Sequence, residues 1–519
     1  MVVASQQYFS TRSSDKAISF EEAIMTGLAP DGGLYIPTAI PTLPEDFLTK
    51  WANLSFQELA FEILSLYISR QEIPADNLKE IIEKSYSTFR SKDITPTTTL
   101  NKDINLHLLE LFHGPTYAFK DVALQFVGNL FDFFLTRRNE GKAPTDPSRE
   151  TITVVGATSG DTGSAAIYGL RNKKNVSVFI LFPTGRVSPI QEAQMTSVLD
   201  PNIHTISVKG TFDDCQDLVK QVFGDKAFND KYHVGAVNSI NWARILAQIT
   251  YYFHSFFTLA RKIEGGAQAL ADKINYIVPT GNFGDILAGF YAKQMGLPIN
   301  KLTVATNSND ILHRFLQSGV YSKSASAEAG PVVHATLSPA MDILVSSNFE
   351  RYLWYAARTT TDSNEEAGQL VNQWMTDLKA TGKFSVSEKV LATARLQFSS
   401  ERASDEETTA TIKKVYTEIS PKYILDPHTS VAVFGALNVI EKTDAADHHH
   451  VALSTAHPAK FADAVDLALE GQEGYNFEND VLPQEFKELP GREKKNLFAD
   501  KPDLELIKSI IVDELKKEN

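Results

Sequence analysis

The chain of 519 residues is longer than one hydrophobic core supports, so its length predicts two or three packed domains. Hydrophobic residues make up 43% of it, which excludes wholesale disorder. Its formal net charge of -14 argues against nucleic acid or an anionic membrane as the main partner, because both need clustered lysine and arginine side chains.

Cysteine content and apolar runs bear on the cellular compartment. Cys215 is the only cysteine, which excludes an intramolecular disulfide bond and a cysteine metal cluster and suits a reducing compartment. The stretch MVVASQQYFSTRSSDKAISF lacks the apolar region of a signal peptide, and no later run reaches the ~18 apolar residues that suggest a membrane span. We therefore expect a cytoplasmic protein without a metal centre.

Residues 1–97 are predicted to form a mainly helical N-terminal domain. Apolar residues recur at helical spacing in FEEAIMTGL and FQELAFEILSLYI, with the turn-rich stretch APDGGLYIP between them. Further along the chain, short β-rich runs alternate with helical stretches. These runs begin at Thr151, Asn175, His204, Ile274, Lys301 and Val451. The alternation predicts parallel α/β sheets that bind ligands at the carboxyl ends of their strands.

Two α/β domains are expected, one in residues 98–235 and a larger one in residues 236–519. The pattern weakens between residues 318 and 421, where polar runs suggest an insertion with exposed loops and little chemistry of its own. The consecutive histidines 448–450 point in different directions on a strand or loop, so we interpret them as a solvated loop and not a metal site. The final segment DLELIKSIIVDELKKEN predicts a surface helix.

The glycine-rich turn GATSGDTG follows the apolar strand TITVV and precedes a helix of small residues. Backbone N–H groups at the positive start of such a helix stabilise an anion. The turn lacks the lysine of a P-loop and the spacing of a dinucleotide motif, which counts against a nucleotide-binding enzyme. Taken alone, the motif fits a tight structural turn as well as it fits a ligand-binding loop.

The second strand–turn–helix unit is INYIVPTGNFGDILAGF, with Gly281 and Gly284 on either side of Asn282 and Phe283. Two glycines let the backbone fold closely around a group with several acceptor oxygens, and Asp285 follows at the start of the helix. A phosphate fits there. Two such anion sites in one chain suggest that two anionic groups bind together, such as a cofactor phosphate and a substrate carboxylate.

Lys120 lies in LFHGPTYAFKDVALQF, with Phe119 before it and an apolar run after it. A solvated lysine at a helix start is the commoner case for such a pattern. The apolar surroundings favour another interpretation, because a desolvated lysine has a lowered pKa and can react as a nucleophilic amine in a Schiff base. The stretch AVNSINWAR is explained by a helix cap followed by a surface arginine as readily as by a ligand site.

The motifs HGPTYAFKD, GATSGDTG, NSINWAR, PTGNFGD and LSTAHPAKF occur in the order found in threonine synthases, which this chain resembles over most of its length. The opening stretches YFSTRS and EEAIMTGLAPDGGLYIP are similar to the N-terminal region of that family. The resemblance implies the α/β architecture of fold-type II pyridoxal-phosphate enzymes, which is similar to the tryptophan synthase β-subunit. Two parallel-sheet domains would hold pyridoxal 5'-phosphate between them, after the N-terminal domain.

The resemblance also implies roles for single residues. Lys120 matches the lysine that forms the Schiff base, and Thr455 matches the residue whose hydroxyl faces the pyridine nitrogen. The implied cofactor-phosphate loop is Gly281, Asn282, Phe283, Gly284 and Asp285. The implied substrate-carboxylate loop is Thr158, Ser159, Gly160, Asp161 and Thr162. Some relatives have asparagine where Asp161 stands, and an ionised aspartate cannot donate a hydrogen bond, so the role of Asp161 stays unassigned.

A further group of residues is implied to hold the substrate: Asn238, Ser239, Asn241 and Arg244. Arg244 is the first choice for the substrate phosphate, because the planar guanidinium matches phosphate oxygens. Weaker candidates are Arg186, Ser188 and Gln191.

The implied reaction converts O-phospho-L-homoserine and water to L-threonine and phosphate by γ-elimination and β-addition of water. The nearest alternative is a phospho-lyase that takes phosphohomoserine or phosphothreonine to a 2-oxo acid. A non-catalytic ligand-binding protein on the same fold would be expected to lack the Schiff-base lysine, and Lys120 is present.

Overall fold

Short helices and a two-stranded antiparallel ribbon form the N-terminal region. The computed structural model describes residues 6–143, 145–235, 237–325, 330–443 and 447–518. The elements of this region are β1 (Tyr8–Ser10), α1 (Phe20–Thr26), β2 (Tyr35–Pro37), α2 (Phe47–Lys50), α3 (Phe56–Tyr67) and α4 (Ala75–Tyr86). Ser55 begins α3 with a capping box, in which its hydroxyl and the Glu58 carboxylate accept hydrogen bonds from each other's backbone N–H groups. The prediction of a mainly helical region is confirmed.

Strands and helices then alternate as the sequence predicts. The elements are β3 (Thr97–Asn101), β4 (Leu106–Glu110), α5 (Lys120–Arg138), β5 (Ile152–Ala157), α6 (Asp161–Leu170), β6 (Val176–Pro183), α7 (Pro189–Thr196), β7 (Ile203–Val208), α8 (Phe212–Gly224), α9 (Lys226–Tyr232) and β8 (Val234–Gly235). The strands expected near residues 151, 175 and 204 are all present.

The remaining part begins with the long buried helix α10 (Trp242–Ala260). It is followed by α11 (Gly266–Leu270), β9 (Ile274–Pro279), α12 (Gly284–Met295), β10 (Lys301–Thr306), α13 (Ile311–Ser318), β11 (Val320–Ser322), α14 (Phe349–Arg358), α15 (Asn364–Thr381), β12 (Lys383–Ser385), α16 (Glu388–Gln397), β13 (Phe398–Arg402), α17 (Asp405–Lys414), α18 (Pro427–Lys442), β14 (His449–Ser454), α19 (Ala462–Leu469), α20 (Phe477–Asp480), α21 (Gln484–Glu488), β15 (Leu497–Ala499) and α22 (Leu504–Glu518). Short 3-10 helices lie at Pro339–Met341, Pro458–Lys460 and Leu489–Gly491.

Two largely parallel sheets organise the α/β part of the chain. The larger sheet has the strand order β13-β10-β9-β14-β4-β3, and each neighbouring pair is parallel except β3 with β4. The smaller sheet has the order β15-β7-β6-β5-β8 and is parallel throughout. Helix α5 packs on α6, and α10 packs on both α5 and α12, so these helices link the two sheets.

Sheet membership crosses the domain boundaries suggested by the sequence. Strands β3 and β4, within residues 97–110, belong to the larger sheet, where Leu106 pairs with His450 of β14. Strand β15 comes from the C-terminal part but joins the smaller sheet, where Leu497 pairs with Ile206 of β7. The boundaries at residues 97/98 and 235/236 therefore do not separate the sheets, because strand pairing is decided by contacts between residues distant in the chain.

Residues 318–421 are not the loop-rich insertion that their polar composition suggested. The segment SSERASDEETTAT holds most of β13, which pairs with β10 in the larger sheet, and most of α17, which Ser404 caps. Phe349 and Tyr352 of α14 are buried in the core. That expectation is therefore wrong for these elements. The polar run SKSASAEAGP, expected to be an exposed loop, lies partly outside the described residues.

His449 and His450 belong to strand β14, so the expectation of a solvated loop is wrong for these two residues, while His448 precedes the strand. His450 is buried, and Nδ1 of His449 lies 3.0 Å from Nε2 of His107. Within the described ranges, no group of three or more His, Cys, Asp or Glu residues is placed to hold a metal ion.

The C-terminal helix α22 packs on α8 through the buried side chains Ile507 and Ile511, while its other face is exposed. A carboxylate oxygen of Glu518 lies 2.6 Å from Nε2 of His204, which anchors the helix end to the smaller sheet. The predicted surface helix is confirmed. Among the helices of the described part of the chain, none combines the length and apolar character needed to cross a membrane.

Candidate active site

A cavity of about 350 Å³ lies where strands of both sheets end. Ala157 at the end of β5, Pro279 at the end of β9 and Thr455 just after β14 border it. The carboxyl ends of parallel strands are the usual ligand site of such sheets. The cavity is lined by most of the residues selected from the sequence: Lys120, Ser159, Gly160, Asp161, Thr162, Asn238, Ser239, Arg244, Gly281, Asn282, Phe283, Gly284, Asp285 and Thr455.

Lys120 is the first residue of α5. The backbone N–H of Phe119 donates to the carbonyl of Thr455 at 2.8 Å, which fixes the start of α5 against the end of β14. Burial lowers the pKa of the Lys120 amine to about 8, opposed by the charge of Asp161 and assisted by that of Arg244. The uncharged fraction of this amine at neutral pH is therefore larger than that of an exposed lysine, and a nucleophilic amine must be uncharged.

The turn between β5 and α6 presents the positive start of α6 to the cavity. Thr158 lies behind this turn, where its Oγ1 accepts hydrogen bonds from the backbone N–H groups of Gly160 (3.0 Å) and Gly163 (2.9 Å). Its buried hydroxyl therefore holds the turn in shape. Ser159 and Thr162 line the cavity itself, so a ligand anion would meet the turn through these residues.

Asp161, the first residue of α6, is paired with a lysine that sequence reasoning missed. Its Oδ1 lies 2.7 Å from Nζ of Lys460 and accepts a hydrogen bond from Nε2 of Gln191 at 2.8 Å. Burial alone would raise the pKa of Asp161. The charges of Lys460 and Lys120 outweigh burial and hold that pKa well below its usual range, so the carboxylate is ionised.

The turn between β9 and α12 is held mainly through its carbonyl groups. Oγ of Ser346 donates to the Gly281 carbonyl at 2.6 Å, and the N–H of Asn348 donates to the Asn282 carbonyl at 3.0 Å. Phe283 adopts the left-handed region with a φ of 62°, and its buried ring packs on Phe349. The first N–H groups of α12 have no partner within the helix and remain available to an anion.

Asp285 is the second residue of α12, and its surroundings differ from those of Asp161. Its Oδ1 accepts hydrogen bonds from the hydroxyls of Tyr251 and Tyr252. Its Oδ2 is buried and has no hydrogen-bond partner among the described residues. Burial raises the pKa of Asp285 to about 7, against the effect of the two hydroxyls.

Arg244 in α10 is buried and forms no ion pair with any described carboxylate. Its Nη1 donates to the Val237 carbonyl at 3.3 Å, while its Nε has no hydrogen-bond partner in the described chain. Burial lowers the pKa of this guanidinium to about 10. A buried cation without a protein counter-ion indicates an anionic ligand, because leaving such a charge unpaired is costly.

Asn241 does not join the residues that line the cavity. Its Oδ1 accepts a hydrogen bond from the N–H of Ala243, and its Nδ2 donates to the carbonyl of Ile24, each at 3.0 Å. The side chain therefore caps α10 and ties it to α1. The structure therefore gives Asn241 a capping role, and the substrate contact expected of it stays a prediction.

Three family models match this chain: "Threonine synthase N terminus" over residues 7–86, "Pyridoxal-phosphate dependent enzyme" over 93–454 and "Threonine synthase, C-terminal" over 429–511. A threonine synthase of Saccharomyces cerevisiae is 58% identical over 99% of this chain and 99% of its own length. The chain belongs to the threonine synthase family.

Solved structures of threonine synthases have the same fold. The crystal structure of the yeast protein has a TM-score of 0.93 and 58% identity, covering 99% of this chain and 100% of that one. A structure described as a PLP-bound threonine synthase from Brucella melitensis has a TM-score of 0.86 and 41% identity, covering 98% of this chain and 99% of that one. The fold-type II architecture is therefore confirmed.

Pyridoxal phosphate is the cofactor of this threonine synthase family member, and the cavity fits it. A Cβ on Gly281 would come within 3.1 Å of the Ala340 carbonyl oxygen, so a side chain there would require the backbone of residues 340–341 to shift. A Cβ on Gly284 would lie in ordinary contact with Ile245 at 3.5 Å and Asn348 at 3.6 Å, and Gly284 itself lines the cavity. Lys120 contributes an amine to the same cavity.

Several residues that shape this threonine synthase site were missed from the sequence. Residues 339–343 line the cavity but had been assigned to a polar insertion. His428 positions them, because its Nε2 accepts from the N–H of Ala340 at 3.1 Å while its Nδ1 lies 2.9 Å from Asp426. Lys460 lies in LSTAHPAKF, a motif from which only Thr455 had been selected. A lysine in that apolar context was a usable signal, whereas residues 339–343 offered none.

Proposed function

We propose that this cavity converts O-phospho-L-homoserine and water to L-threonine and phosphate, through γ-elimination and then addition of water at the β-carbon. One observation carries this proposal: the cavity brings together Lys120, whose pKa is lowered, the positive starts of two helices, and Arg244, whose Nε has no partner among the described residues. Substrate and cofactor together bring two phosphates and a carboxylate, and these features provide the matching cations and N–H groups. Membership of the threonine synthase family supports the same reaction.

When bound, pyridoxal phosphate supplies an electron sink for the carbons next to the substrate amine. We assign its phosphate to the turn Gly281–Asp285. The free N–H groups at the start of α12 and the clamp on the turn's carbonyl groups support this assignment. We assign the hydroxyl of Thr455 to the ring nitrogen. A neutral hydroxyl cannot supply the negative charge that would hold a proton there, so proton handling depends more on Lys120.

Lys120 is assigned two tasks. Its amine would hold the cofactor, and Nζ, when it is free, would move protons at Cα and Cβ of the substrate. Both tasks need an amine that gains and loses a proton near neutral pH. A pKa of about 8 meets that need, because burial and Arg244 disfavour the ammonium form.

The remaining assignments concern the two anionic groups of the substrate. We assign its carboxylate to Ser159, Gly160 and Thr162 at the start of α6, with Thr158 holding the turn from behind. We assign its phosphate to Arg244, with Asn238 and Ser239 beside it on the cavity wall. The Nε of Arg244, buried without a partner among the described residues, supports this choice.

A single assay tests the proposal: purified full-length protein is given O-phospho-L-homoserine, and phosphate and threonine are measured together. Equal amounts of both products are expected. Phosphate accompanied by a 2-oxo acid and no threonine would instead establish a phospho-lyase. A protein that releases neither product would overturn both.

The cytoplasmic location remains a prediction that subcellular fractionation tests. The expectation that neither nucleic acid nor a membrane is a partner also remains a prediction, derived from the net charge of -14.

A further inference from the structure

Lys460 is a second buried lysine beside the cavity, where it contacts the lining residue Asp161, and none of the assignments above uses it. Its side chain has no exposed area. It lies in the 3-10 helix that follows β14, and its Nζ is 2.7 Å from Oδ1 of Asp161. The same Nζ donates to the carbonyl of Thr116 at 2.8 Å. Burying an ammonium group is costly unless it is paired and hydrogen-bonded, and both conditions are met here.

The contacts of Lys460 join three segments around Lys120. Thr116 lies in the loop that leads into α5, and both its N–H and its hydroxyl donate to the Asp121 carboxylate at 2.7 Å. Asp161 begins α6, and Lys460 follows β14. Lys460 therefore fixes the position of the Asp161 carboxylate relative to the Lys120 amine.

The charged groups that face Lys120 come from several elements. Asp161 from α6 and Asp121 from α5 favour its ammonium form, while Arg244 from α10 and Lys460 disfavour it. His428 from α18 faces Asp161. Without Lys460, the buried Asp161 carboxylate would keep Gln191 as a hydrogen-bond donor, and the remaining lysine that faces it is Lys120.

We propose that Lys460 is a positioning residue: its ion pair with Asp161 prevents that carboxylate from pairing with Lys120, so the Lys120 amine stays free to react. Lys460 itself touches neither the reacting carbons nor the cofactor in this role. The proposal rests on the assignment of Lys120 given under the proposed function.

The test measures how readily Lys120 reacts with the cofactor as a function of pH. The full-length protein is mixed with pyridoxal phosphate at a series of pH values and reduced with borohydride, and the labelled peptide is quantified by mass spectrometry. In Lys460→Met the midpoint pH for labelling Lys120 should rise by about one unit or more, because an unneutralised carboxylate stabilises the ammonium form. In Lys460→Arg, which keeps the charge, the midpoint should stay near that of the native protein.

The double variant Asp161→Asn with Lys460→Met separates this role from a purely structural one. Removing the Asp161 carboxylate as well should bring the midpoint back towards the native value. If Lys460→Met acted only through a packing defect, the second substitution would not restore the midpoint. If Lys460→Met does not fold, Lys460→Gln serves in its place, because it also removes the charge but keeps a hydrogen-bond donor, and its midpoint should likewise rise.

An unchanged midpoint in Lys460→Met, or an equal rise in Lys460→Arg, would overturn the positioning role. A midpoint in the double variant that stays as high as that of Lys460→Met would overturn it as well. A label found on the Lys460 peptide in place of Lys120 would instead refute the assignment of Lys120. The labelling needs no turnover, so a failure of the proposed reaction, seen in the product assay, is distinguishable from a failure of this inference.

Discussion

Asp161 and Asp285 occupy similar places in two strand–turn–helix units, yet their surroundings have opposite effects on their charge. Both are buried at the start of a helix that faces the cavity. Asp161 has Lys460 at 2.7 Å, which keeps its pKa below the usual range. Asp285 has two tyrosine hydroxyls and forms no ion pair with a cation in the described part of the chain, and burial raises its pKa to about 7. A neighbouring charge, and not position on the helix, decides which form each carboxyl takes.

The two turns are also held by different means. In the first, the Thr158 hydroxyl accepts hydrogen bonds from backbone N–H groups. In the second, Ser346 and Asn348 donate to the carbonyl groups of Gly281 and Asn282. Because the second turn is held through its carbonyl groups, its N–H groups remain free for a phosphate. In the first turn, some N–H groups already donate to Thr158. The difference supports assigning the second turn to the cofactor phosphate.

The largest expected effect belongs to Lys120, to which we assign both the bond to the cofactor and the proton transfers. Lys120→Ala should lower kcat by about 10³-fold or more, because the substitution removes both the amine that holds the cofactor and the group that moves protons. The visible absorbance band of the covalently held cofactor should also be lost on dialysis. Lys293→Ala is the matched control, since burial lowers the pKa of Lys293 too but its Nζ donates to Asn300, away from the cavity lining. Retention of the band in Lys120→Ala would mean that another lysine holds the cofactor.

A substitution at Gly284 tests the second turn by itself. Gly284→Val should weaken binding of pyridoxal phosphate by about tenfold or more, roughly 1.4 kcal/mol, because the branched side chain obstructs approach to the start of α12. The free energy of unfolding of the apo-protein should change less than cofactor affinity, since a Cβ there makes ordinary contacts with neighbouring side chains, the nearest at 3.5 Å. Gly281 is a poorer test, because its Cβ would press on the backbone of residues 340–341. The affinity is measured by titrating the apo-protein with pyridoxal phosphate. The control is Gly224→Ala, at an exposed glycine. An affinity equal to that of the wild-type protein would show that this turn has only a structural role.

The first turn is tested through Thr158. Thr158→Val should lower the free energy of unfolding by about 1–3 kcal/mol, because the N–H groups of Gly160 and Gly163 lose their buried acceptor. The KM for phosphohomoserine should rise, while the affinity for pyridoxal phosphate should stay near the native value. Thr153→Val in β5, the strand that leads into this turn, is the control and should leave KM unchanged. Equal losses of cofactor and substrate affinity would show that the two turns do not have separate ligands.

The smallest expected effect is a pH dependence at Asp285. The unfolded chain loses this proton near pH 4, whereas the folded protein keeps it up to about pH 7. The folded state therefore binds more protons in that window, and the contribution of Asp285 to stability falls as pH rises through it. Asp285→Asn lacks this dependence, so the stability of the variant relative to the native apo-protein should improve by about 1 kcal/mol or more between about pH 5 and about pH 7.5. Urea unfolding at both pH values checks this, and a constant difference would contradict it.

Local sequence signals were enough to identify much of the site. Strand, glycine turn and helix succeed one another within a few residues at 151–170 and 274–295, so spacing predicted both turns, although the first motif alone fitted a structural turn equally well. The apolar surroundings of Lys120 indicated a lowered pKa, and the structure agrees. The helix-cap explanation of Asn241 was also available from its position before an apolar helix, but the resemblance to a family outweighed it.

The amino-acid sequence by itself determined the parallel α/β class, the helical N-terminal region and the residues of the two turns, because periodicity, glycine spacing and capping act over a few residues. Only the tertiary structure decided that residues 97–110 join the larger sheet and 497–499 the smaller, since strand pairing depends on distant partners. It also decided the charges of Asp161 and Asp285. Lys460 lies far from Asp161 in the chain and reaches it only when β14 and α6 end at the same cavity, and a buried carboxyl takes its charge state from such neighbours.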